Sequence, residues 1–183
     1  MSSSNRKWDI DAFDRELLYH YQADTRQSAE TLGARIGLSA TAVQRRLKRL
    51  RAAGIISAEV ALLDAARLDL PITVIVHVDL ERESSAHVDA FKKRMSETPA
   101  VQQCWYTAGR TDFVLVVRAA SLADYEAFTR DALMSWDNLR EFTSHVVLEE
   151  VTSWSPLDYP RRSRDTAPIS GRGRERRWSN EQK

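Results

Sequence analysis

Residues 38–54 read LSATAVQRRLKRLRAAG, and this stretch decides the fold of the N-terminal part of the chain. Val43, Leu47 and Leu50 recur at the spacing of one helix face, so the stretch predicts an amphipathic helix. Ser39 is placed to cap its N-terminus, and Gly54 fits the position that follows its C-cap.

Two shorter amphipathic segments precede this helix. Ile10–Tyr21 carries apolar residues at helical spacing, with Asp9 and Asp11 favourable at its N-terminal end. Ser28 is a candidate N-cap for a second helix, and Gly37 marks a break before the third. Three short helices with a tight turn between the last two predict a helix-turn-helix arrangement.

The outward face of the third helix is basic. At 100° per residue, the side opposite its apolar stripe carries Thr41, Arg45, Lys48 and Arg49, with Gln44, Arg46 and Arg51 on the flanks. Arg contacts guanine or phosphate and Thr offers a hydroxyl, while small residues such as Ala42 allow close approach to bases. No acidic residue lies between Ala40 and Glu59, which favours DNA binding over an ordinary solvated face. For Arg46, an ion pair with Asp14 is the favoured alternative.

Charge is segregated along the chain although the net charge is only +1. Residues 1–57 carry ten Lys/Arg against six Asp/Glu, residues 58–155 nine against sixteen, and residues 156–183 eight against four. The basic ends suit a polyanion, whereas the acidic middle would be repelled by one.

Residues 72–151 predict a second domain. Ile72–Val78, Val101–Ala108, Phe113–Val117 and Phe142–Val151 read as strands, and two amphipathic segments between them read as helices. The resulting order, strand-helix-strand-strand-helix-strand, predicts a ferredoxin-like α+β domain, with Gly109–Asp112 as a turn. We therefore expect a DNA-binding domain at 1–57, a linker at 58–71, the ferredoxin-like domain at 72–155 and a flexible basic tail at 156–183.

The composition excludes several classes of protein. With 183 residues, 43% hydrophobic and 29% charged, the chain is neither disordered overall nor a collagen. Cys104 is the only cysteine, so no internal disulfide is possible. No apolar run approaches the ~20 residues of a membrane span, and no signal peptide is recognisable. We expect a cytoplasmic location.

Catalytic and metal-binding motifs are not recognisable. His20, His77, His87 and His145 lack metal-ligand spacing, and Cys104 lies in an apolar strand, where it reads as a small hydrophobe. We expect no metal, no cofactor and no enzymatic activity.

Three motifs resemble those of the leucine-responsive/AsnC (Lrp/AsnC, feast/famine) transcriptional regulators. Residues 10–18 resemble the family's opening L-D-x-x-D-x-x-I-L, and residues 38–56 resemble its L-S-x-(S/T)-x-V-x-x-R-(I/L)-x-R-L…G-(V/I)-I signature. Val101–Trp105 with Gly109–Asp112 is similar to the V-x-x-C-(Y/W)…G-x-x-D of its effector domain.

The resemblance implies a winged helix-turn-helix domain joined to a ferredoxin-like domain that dimerises and assembles to tetramers or octamers. It also implies an amino-acid or other small-metabolite effector, held by Gly109, Arg110, Thr111 and Asp112 with Ser144 nearby. Backbone N–H groups at a Gly turn suit a carboxylate, and Asp112 suits an ammonium group. Three residues depart from the family pattern. The family usually has an aromatic residue at the position of Glu59 and a glycine at that of Asp69. The third departure is Arg110, a cation beside the turn.

Two alternatives remain open at this point. Some siroheme decarboxylases resemble this family in both domains, but their DNA-reading helix has decayed, whereas here it is intact and basic. A chromosome-compacting protein with little sequence preference is the other alternative. Such a protein would use the phosphate-binding capacity of the tail arginines, which are Arg161, Arg162, Arg164, Arg172, Arg174, Arg176 and Arg177.

Overall fold

The computed structural model describes residues 10–152 and 154–160. These residues form two compact units, one made by 10–59 with 154–160 and the other by 60–152. The predicted role of Asp9 and the tail beyond Pro160 lie outside the described residues.

The first unit contains three helices, α1 (Ala12–Ala23), α2 (Ala29–Ile36) and α3 (Ala40–Ala52). Each begins at a side chain that accepts a backbone N–H: Asp11 caps α1, and Ser28 and Ser39 cap α2 and α3 as the sequence predicts. Gly54 follows the C-cap of α3 with φ 70°, a left-handed conformation that glycine adopts without steric cost.

The turn between α2 and α3 depends on two glycines. Gly37 ends α2 in the left-handed conformation, with φ 74°. The backbone N–H of Leu38 bonds to Gly33 O at 2.9 Å, and a Cβ on Gly33 would lie 2.3 Å from Leu38 O. The chain therefore folds back so closely over α2 that only a residue without a side chain fits at position 33.

A small apolar core holds the three helices together. Its buried side chains are Leu17, Tyr21, Leu32, Val43, Leu47 and Leu50. After Gly54 the chain continues without a strand as far as residue 59, so the region where a wing is expected is irregular in the described part of this unit.

The second unit is a four-stranded antiparallel sheet covered on one face by helices. After a 3₁₀ turn (Ala65–Leu68) come β1 (Ile72–Leu80), α4 (Ser85–Ser96), β2 (Val101–Tyr106), β3 (Phe113–Ala119), α5 (Leu122–Phe128) with a π-helical continuation (Thr129–Met134), and β4 (Leu139–Val146). The strand order β2-β3-β1-β4 is that of the predicted ferredoxin-like fold.

Buried and more exposed residues alternate along the strands, and this alternation determines which side chains form the core of the second unit. On β1, Val74, Val76, Val78 and Leu80 are buried towards the helices, while the residues between them lie on the other face of the sheet. The buried strand residues pack against Val88, Phe91 and Met95 of α4 and against the α5 region.

The predicted last strand, Phe142–Val151, is wrong in its bounds. β4 begins three residues earlier and ends at Val146, which pairs with Val74. Val147 N still bonds to Thr73 O at 2.9 Å, but β1 begins at Ile72, so the chain beyond has no strand to pair with. None of the helices in the described ranges is long and apolar enough to cross a membrane.

Candidate nucleic-acid interface and effector region

The outer face of α3 is exposed and basic, as its spacing predicts. Thr41, Gln44, Arg45 and Lys48 all lie on this face. Within residues 10–152 and 154–160, Arg45 and Lys48 form no ion pair or hydrogen bond, so their charges are available to a ligand.

Arg46 and Arg49 form ion pairs with α1. Asp14 on α1 is fully buried, and its Oδ1 accepts a hydrogen bond of 2.8 Å from Arg46 Nη1. Arg49 Nη2 bonds to the other carboxylate oxygen. Asp14 thus holds both guanidinium groups because a buried carboxylate needs compensating charge. The predicted pairing of Arg46 with Asp14 is present, and Arg49, which the sequence places on the outward face, also binds Asp14.

Asp11 reinforces this cluster. Its Oδ2 accepts a hydrogen bond of 2.7 Å from Arg46 Nη1, and its Oδ1 accepts one of 2.8 Å from Asp14 N. Burial raises the pKa of Asp11, but the Asp14 N–H and the Arg46 guanidinium outweigh that effect and leave the pKa below its ordinary value. Asp11 therefore remains ionised and shares the charge of Arg46.

Arg51, on the flank of α3, also forms an ion pair within the unit. Its Nε donates to Glu59 Oε1 at 2.8 Å, and its Nη2 donates to the Tyr21 hydroxyl at 2.8 Å. Tyr21 in turn donates to Glu59 Oε1 at 2.7 Å. These bonds from Tyr21 and Arg51 hold the pKa of Glu59 below its ordinary value. The glutamate that departs from the family pattern thereby ties the end of the unit to α1 and α3.

The predicted residues near the helix N-termini lie at the ends of α2 and α3. Ser28 Oγ accepts from Thr31 N at 3.1 Å, and Ser39 Oγ accepts from Ala42 N at 3.3 Å. Both serines are exposed and Ala42 is half-buried. Their hydroxyls stabilise the helix starts and remain accessible at the surface.

The Gly109–Asp112 turn connects β2 to β3 and is anchored to β1. Asp112 Oδ2 accepts from Leu80 N at 2.7 Å, and Thr111 Oγ1 donates to Val78 O at 3.1 Å. Gly109 and Arg110 are exposed, and no hydrogen bond within the described residues uses their backbone N–H groups. The turn thus presents two free donors and a half-buried carboxylate that already accepts one backbone bond.

Ser144 lies on β4, and no hydrogen bond within the described residues joins it to the Gly109–Asp112 turn. It pairs with Val76 across β1, and its Oγ lies 2.5 Å from the Tyr125 hydroxyl of α5. Burial raises the pKa of Tyr125, against the opposing effect of the Ser144 hydrogen bond. The turn, in contrast, is anchored at Val78 and Leu80, further along β1 and beside the other neighbouring strand. Strand order therefore places the turn and Ser144 on opposite sides of β1.

Metal-binding and nucleophilic chemistry find little support in the described part of the chain. No group of three or more His, Cys, Asp or Glu side chains there is arranged to hold a metal ion. Burial raises the pKa of the Cys104 thiol, which disfavours the reactive thiolate at neutral pH.

The sequence analysis did not identify several residues that shape the site. Gly33 carried a signal, because a glycine inside a short helix is unfavourable unless packing requires it. The Tyr21–Arg51–Glu59 cluster had no such signal, since its members are 8 to 38 positions apart and meet only through tertiary packing.

A three-helix unit with an exposed basic third helix and a separate ferredoxin-like unit define the class of helix-turn-helix transcriptional regulators with a C-terminal regulatory domain. Residues 10–51 match the AsnC-type helix-turn-helix domain, and residues 73–156 match the Lrp/AsnC ligand binding domain. The chain belongs to the Lrp/AsnC family of transcriptional regulators.

Individual relatives agree with this assignment. An HTH-type transcriptional regulator of Sinorhizobium fredii is 39% identical over 143 residues, covering 78% of this chain and 85% of that protein. The leucine-responsive regulatory protein of Rhizobium meliloti is 31% identical over 143 residues, covering 78% and 92%. Among solved structures, a Neisseria meningitidis transcriptional regulator in complex with L-methionine superposes with a TM-score of 0.75 at 27% identity, covering 81% of this chain and 96% of that one.

Proposed function

We propose that this regulator reads duplex DNA through the outer face of α3, with Arg45 as the principal base contact and Lys48 as a phosphate contact. The observation that carries the proposal is a division among the cations of α3. Three arginines are held by Asp14 or Glu59, and Arg45 and Lys48 are exposed with no partner in the described part of the chain.

The neighbouring residues suit a helix lying in the major groove. Arg45 presents two N–H groups that match guanine O6 and N7, and Thr41 and Gln44 add hydrogen-bonding groups on the same side. The N-terminus of α3, with Ser39 and Ala42, suits a phosphate because its free N–H groups and the helix dipole favour an anion. Ser28 at the start of α2 is a further candidate for a phosphate contact.

The regulator acts as a cytoplasmic homo-oligomer and not as an enzyme in this proposal. Two-fold dimers place two recognition helices on successive major-groove segments, so half-sites about 34–36 Å apart are expected. Assembly to tetramers or octamers, as the family resemblance implies, extends the same spacing along the duplex.

An amino acid or a similar small metabolite is the proposed effector, and Gly109–Asp112 is its proposed binding region. The unpaired N–H groups of Gly109 and Arg110 suit a carboxylate, and the Asp112 carboxylate suits an ammonium group. The L-methionine complex of the Neisseria relative supports this class of ligand. Ser144 is left out of the proposal because it bonds to Tyr125.

Selection of bound fragments from random duplex DNA at about 150 mM salt tests the DNA-binding proposal. We expect recovery of a palindromic motif, and Arg45→Ala should weaken binding to it by about 5- to 150-fold, equivalent to ~1–3 kcal/mol. Arg130→Ala is the matched control, because it removes an exposed arginine from the second unit. An equal loss on all sequences would reduce Arg45 to a phosphate contact, and recovery of unselected DNA would favour a chromosome-compacting role.

Isothermal titration of the full chain with a panel of amino acids tests the effector proposal. Heat of binding for at least one of them, abolished by Asp112→Ala, is the expected result. Because Asp112 also accepts the Leu80 N–H, the thermal unfolding of the variant must be recorded alongside. Binding that survives the substitution in a folded variant would move the effector away from this turn.

A further inference from the structure

Two histidines of the second unit lie on the outer sheet face, by which we mean the face of the sheet opposite α4 and α5. On β1, the residues on either side of His77 are buried towards the helices, so the His77 side chain lies on the outer sheet face. On β4, Ser144 bonds to Tyr125 of α5, so the next residue, His145, also lies on the outer sheet face.

Strand pairing brings these two imidazole rings together. His77 pairs with Thr143 and His145 pairs with Ile75, so the two histidines are diagonal neighbours on adjacent antiparallel strands. Their ring centroids are 5.3 Å apart, with an angle of 75° between the ring planes. His145 is exposed and His77 is half-buried, and no hydrogen bond within the described residues uses a ring nitrogen of either. Each neutral ring therefore has a nitrogen lone pair available to a ligand.

The separation of the rings suits two ligands of one metal ion. With a metal–nitrogen distance of ~2.0–2.1 Å, two imidazoles on a tetrahedral Zn²⁺ have their centroids about 5 Å apart. The torsion about the Cβ–Cγ bond of histidine is soft, so each ring can turn a nitrogen towards the shared position. The backbone of the sheet therefore need not move for both rings to reach the same ion.

The charge around the pair favours a cation. Asp79 follows His77 by two residues on β1 and so lies on the same face, and Glu141 is its cross-strand partner on β4. Arg140 offsets part of the Asp79 charge at 3.7 Å, whereas Glu141 forms no ion pair within the described ranges. Residues 58–155 carry nine Lys/Arg against sixteen Asp/Glu, so the field of this part of the chain attracts cations.

We propose that His77 and His145 bind a divalent transition-metal ion such as Zn²⁺ on the outer sheet face. Imidazole nitrogen suits zinc, nickel and copper, whereas Mg²⁺ prefers oxygen ligands. No third His, Cys, Asp or Glu of the described ranges joins the pair, so the ion keeps positions for water. The sequence predicts no metal because its two ligands lie in the first and last strands, which only the sheet makes neighbours. This site is independent of the proposed function, since it uses neither α3 nor the Gly109–Asp112 turn.

Isothermal titration of the full, metal-free chain without a histidine tag tests the site. We expect Cu²⁺, Ni²⁺ and Zn²⁺ to bind, with Cu²⁺ the tightest, and Mg²⁺ not to bind comparably. His77→Gln and His145→Gln should each weaken Zn²⁺ binding by about tenfold or more, because loss of a ligand costs at least as much as loss of a group that orients one. His87→Gln is the matched control, since that ring bonds to Ser84 at the start of α4.

Two further measurements accompany the titration. Circular dichroism melts show whether each variant folds, and the exposed position of His145 makes its substitution the milder of the two. Proton NMR of the imidazole rings follows the site directly. Zn²⁺ should shift the ring signals of both His77 and His145 and leave those of His87 in place.

Three results would overturn the proposal. Absence of transition-metal binding, or binding that survives both substitutions in folded variants, would show that the two rings form only an aromatic pair. Loss of binding in one variant and not in the other would exclude a shared ion. Mg²⁺ binding as tight as that of Zn²⁺ would indicate carboxylate ligands instead. None of these results affects the DNA-binding proposal, which Arg45→Ala tests separately.

Discussion

Arg46 Nη1 donates a 2.8 Å hydrogen bond to Asp14 Oδ1, and this bond joins the recognition helix to α1 around a fully buried carboxylate. Arg49 completes the cluster from the next turn of α3. Two of the basic residues that make α3 look like a DNA-binding surface thus orient the helix. Arg45 and Lys48, in contrast, are exposed and form no ion pair within the described residues.

Replacing Asp14 tests this relationship. Asp14→Asn removes the counter-charge of Arg49 and one of the two carboxylates that hold Arg46, and the weakened charged hydrogen bonds should destabilise the protein by about 1.5–3 kcal/mol. Chemical denaturation of the full chain measures the loss. Asp24→Asn is the control, because its pair with Arg26 is exposed and should change stability by less than ~1 kcal/mol. Similar losses in the two variants would contradict a structural role for Asp14.

The Glu59 cluster predicts a pH-dependent contribution to stability. The pKa of Glu59 is lowered in the folded state, so its contribution is complete above the ordinary value of 4.5 and disappears as the pH falls through the lower folded value. The stability difference between the unsubstituted chain and Glu59→Gln should therefore be largest near neutral pH and shrink below pH 4.5. Thermal melts recorded from pH 7 to pH 3 measure this stability difference. A difference that is constant over this range would show that ionisation of Glu59 is irrelevant.

Replacing Gly33 by alanine should destabilise the chain, although alanine has the higher helix propensity. Alanine favours helix over glycine by about 1 kcal/mol, yet a Cβ at position 33 would lie 2.3 Å from Leu38 O. We expect Gly33→Ala to destabilise the chain by about 1–3 kcal/mol, since the backbone of the turn must move. Ala34→Gly, an exposed change on the same helix, is the control for propensity alone. A more stable Gly33→Ala variant would show that the turn relaxes freely.

Replacing Asp69 by glycine, in contrast, should not lower the stability of the chain. It is the one non-glycine residue with positive φ in the described ranges, at φ 60°, and the family usually has glycine there. The left-handed conformation costs a non-glycine residue about 1–2 kcal/mol, although Asp tolerates it better than most. Asp69→Gly should therefore be neutral or slightly stabilising in thermal denaturation, and Asp69→Val should be clearly destabilising. A destabilised glycine variant would point to a contact made by the Asp69 side chain.

The sequence by itself determined the local elements and their class. Apolar spacing and capping residues predicted the three helices, with Ser28 and Ser39 in their capping positions, and β-branched runs predicted the sheet. These features follow from interactions within a few residues, which single-sequence patterns record directly. The family was predicted separately, from the resemblance of three motifs to those of the Lrp/AsnC regulators, and is confirmed.

Only the tertiary structure decided which of the candidate site residues form ion pairs within the fold. The sequence predicted the Asp14 pair for Arg46, but the charges of Arg49 and Arg51 look equivalent to that of Arg45 in sequence, and packing alone brings Asp14 and Glu59 to them. Likewise, strand order separates Ser144 from the Gly109–Asp112 turn, and Gln22 meets Leu157 across 135 positions. Such pairings depend on contacts between distant parts of the chain, where a hydrogen bond or a counter-charge decides whether a polar side chain faces a ligand or stabilises the fold.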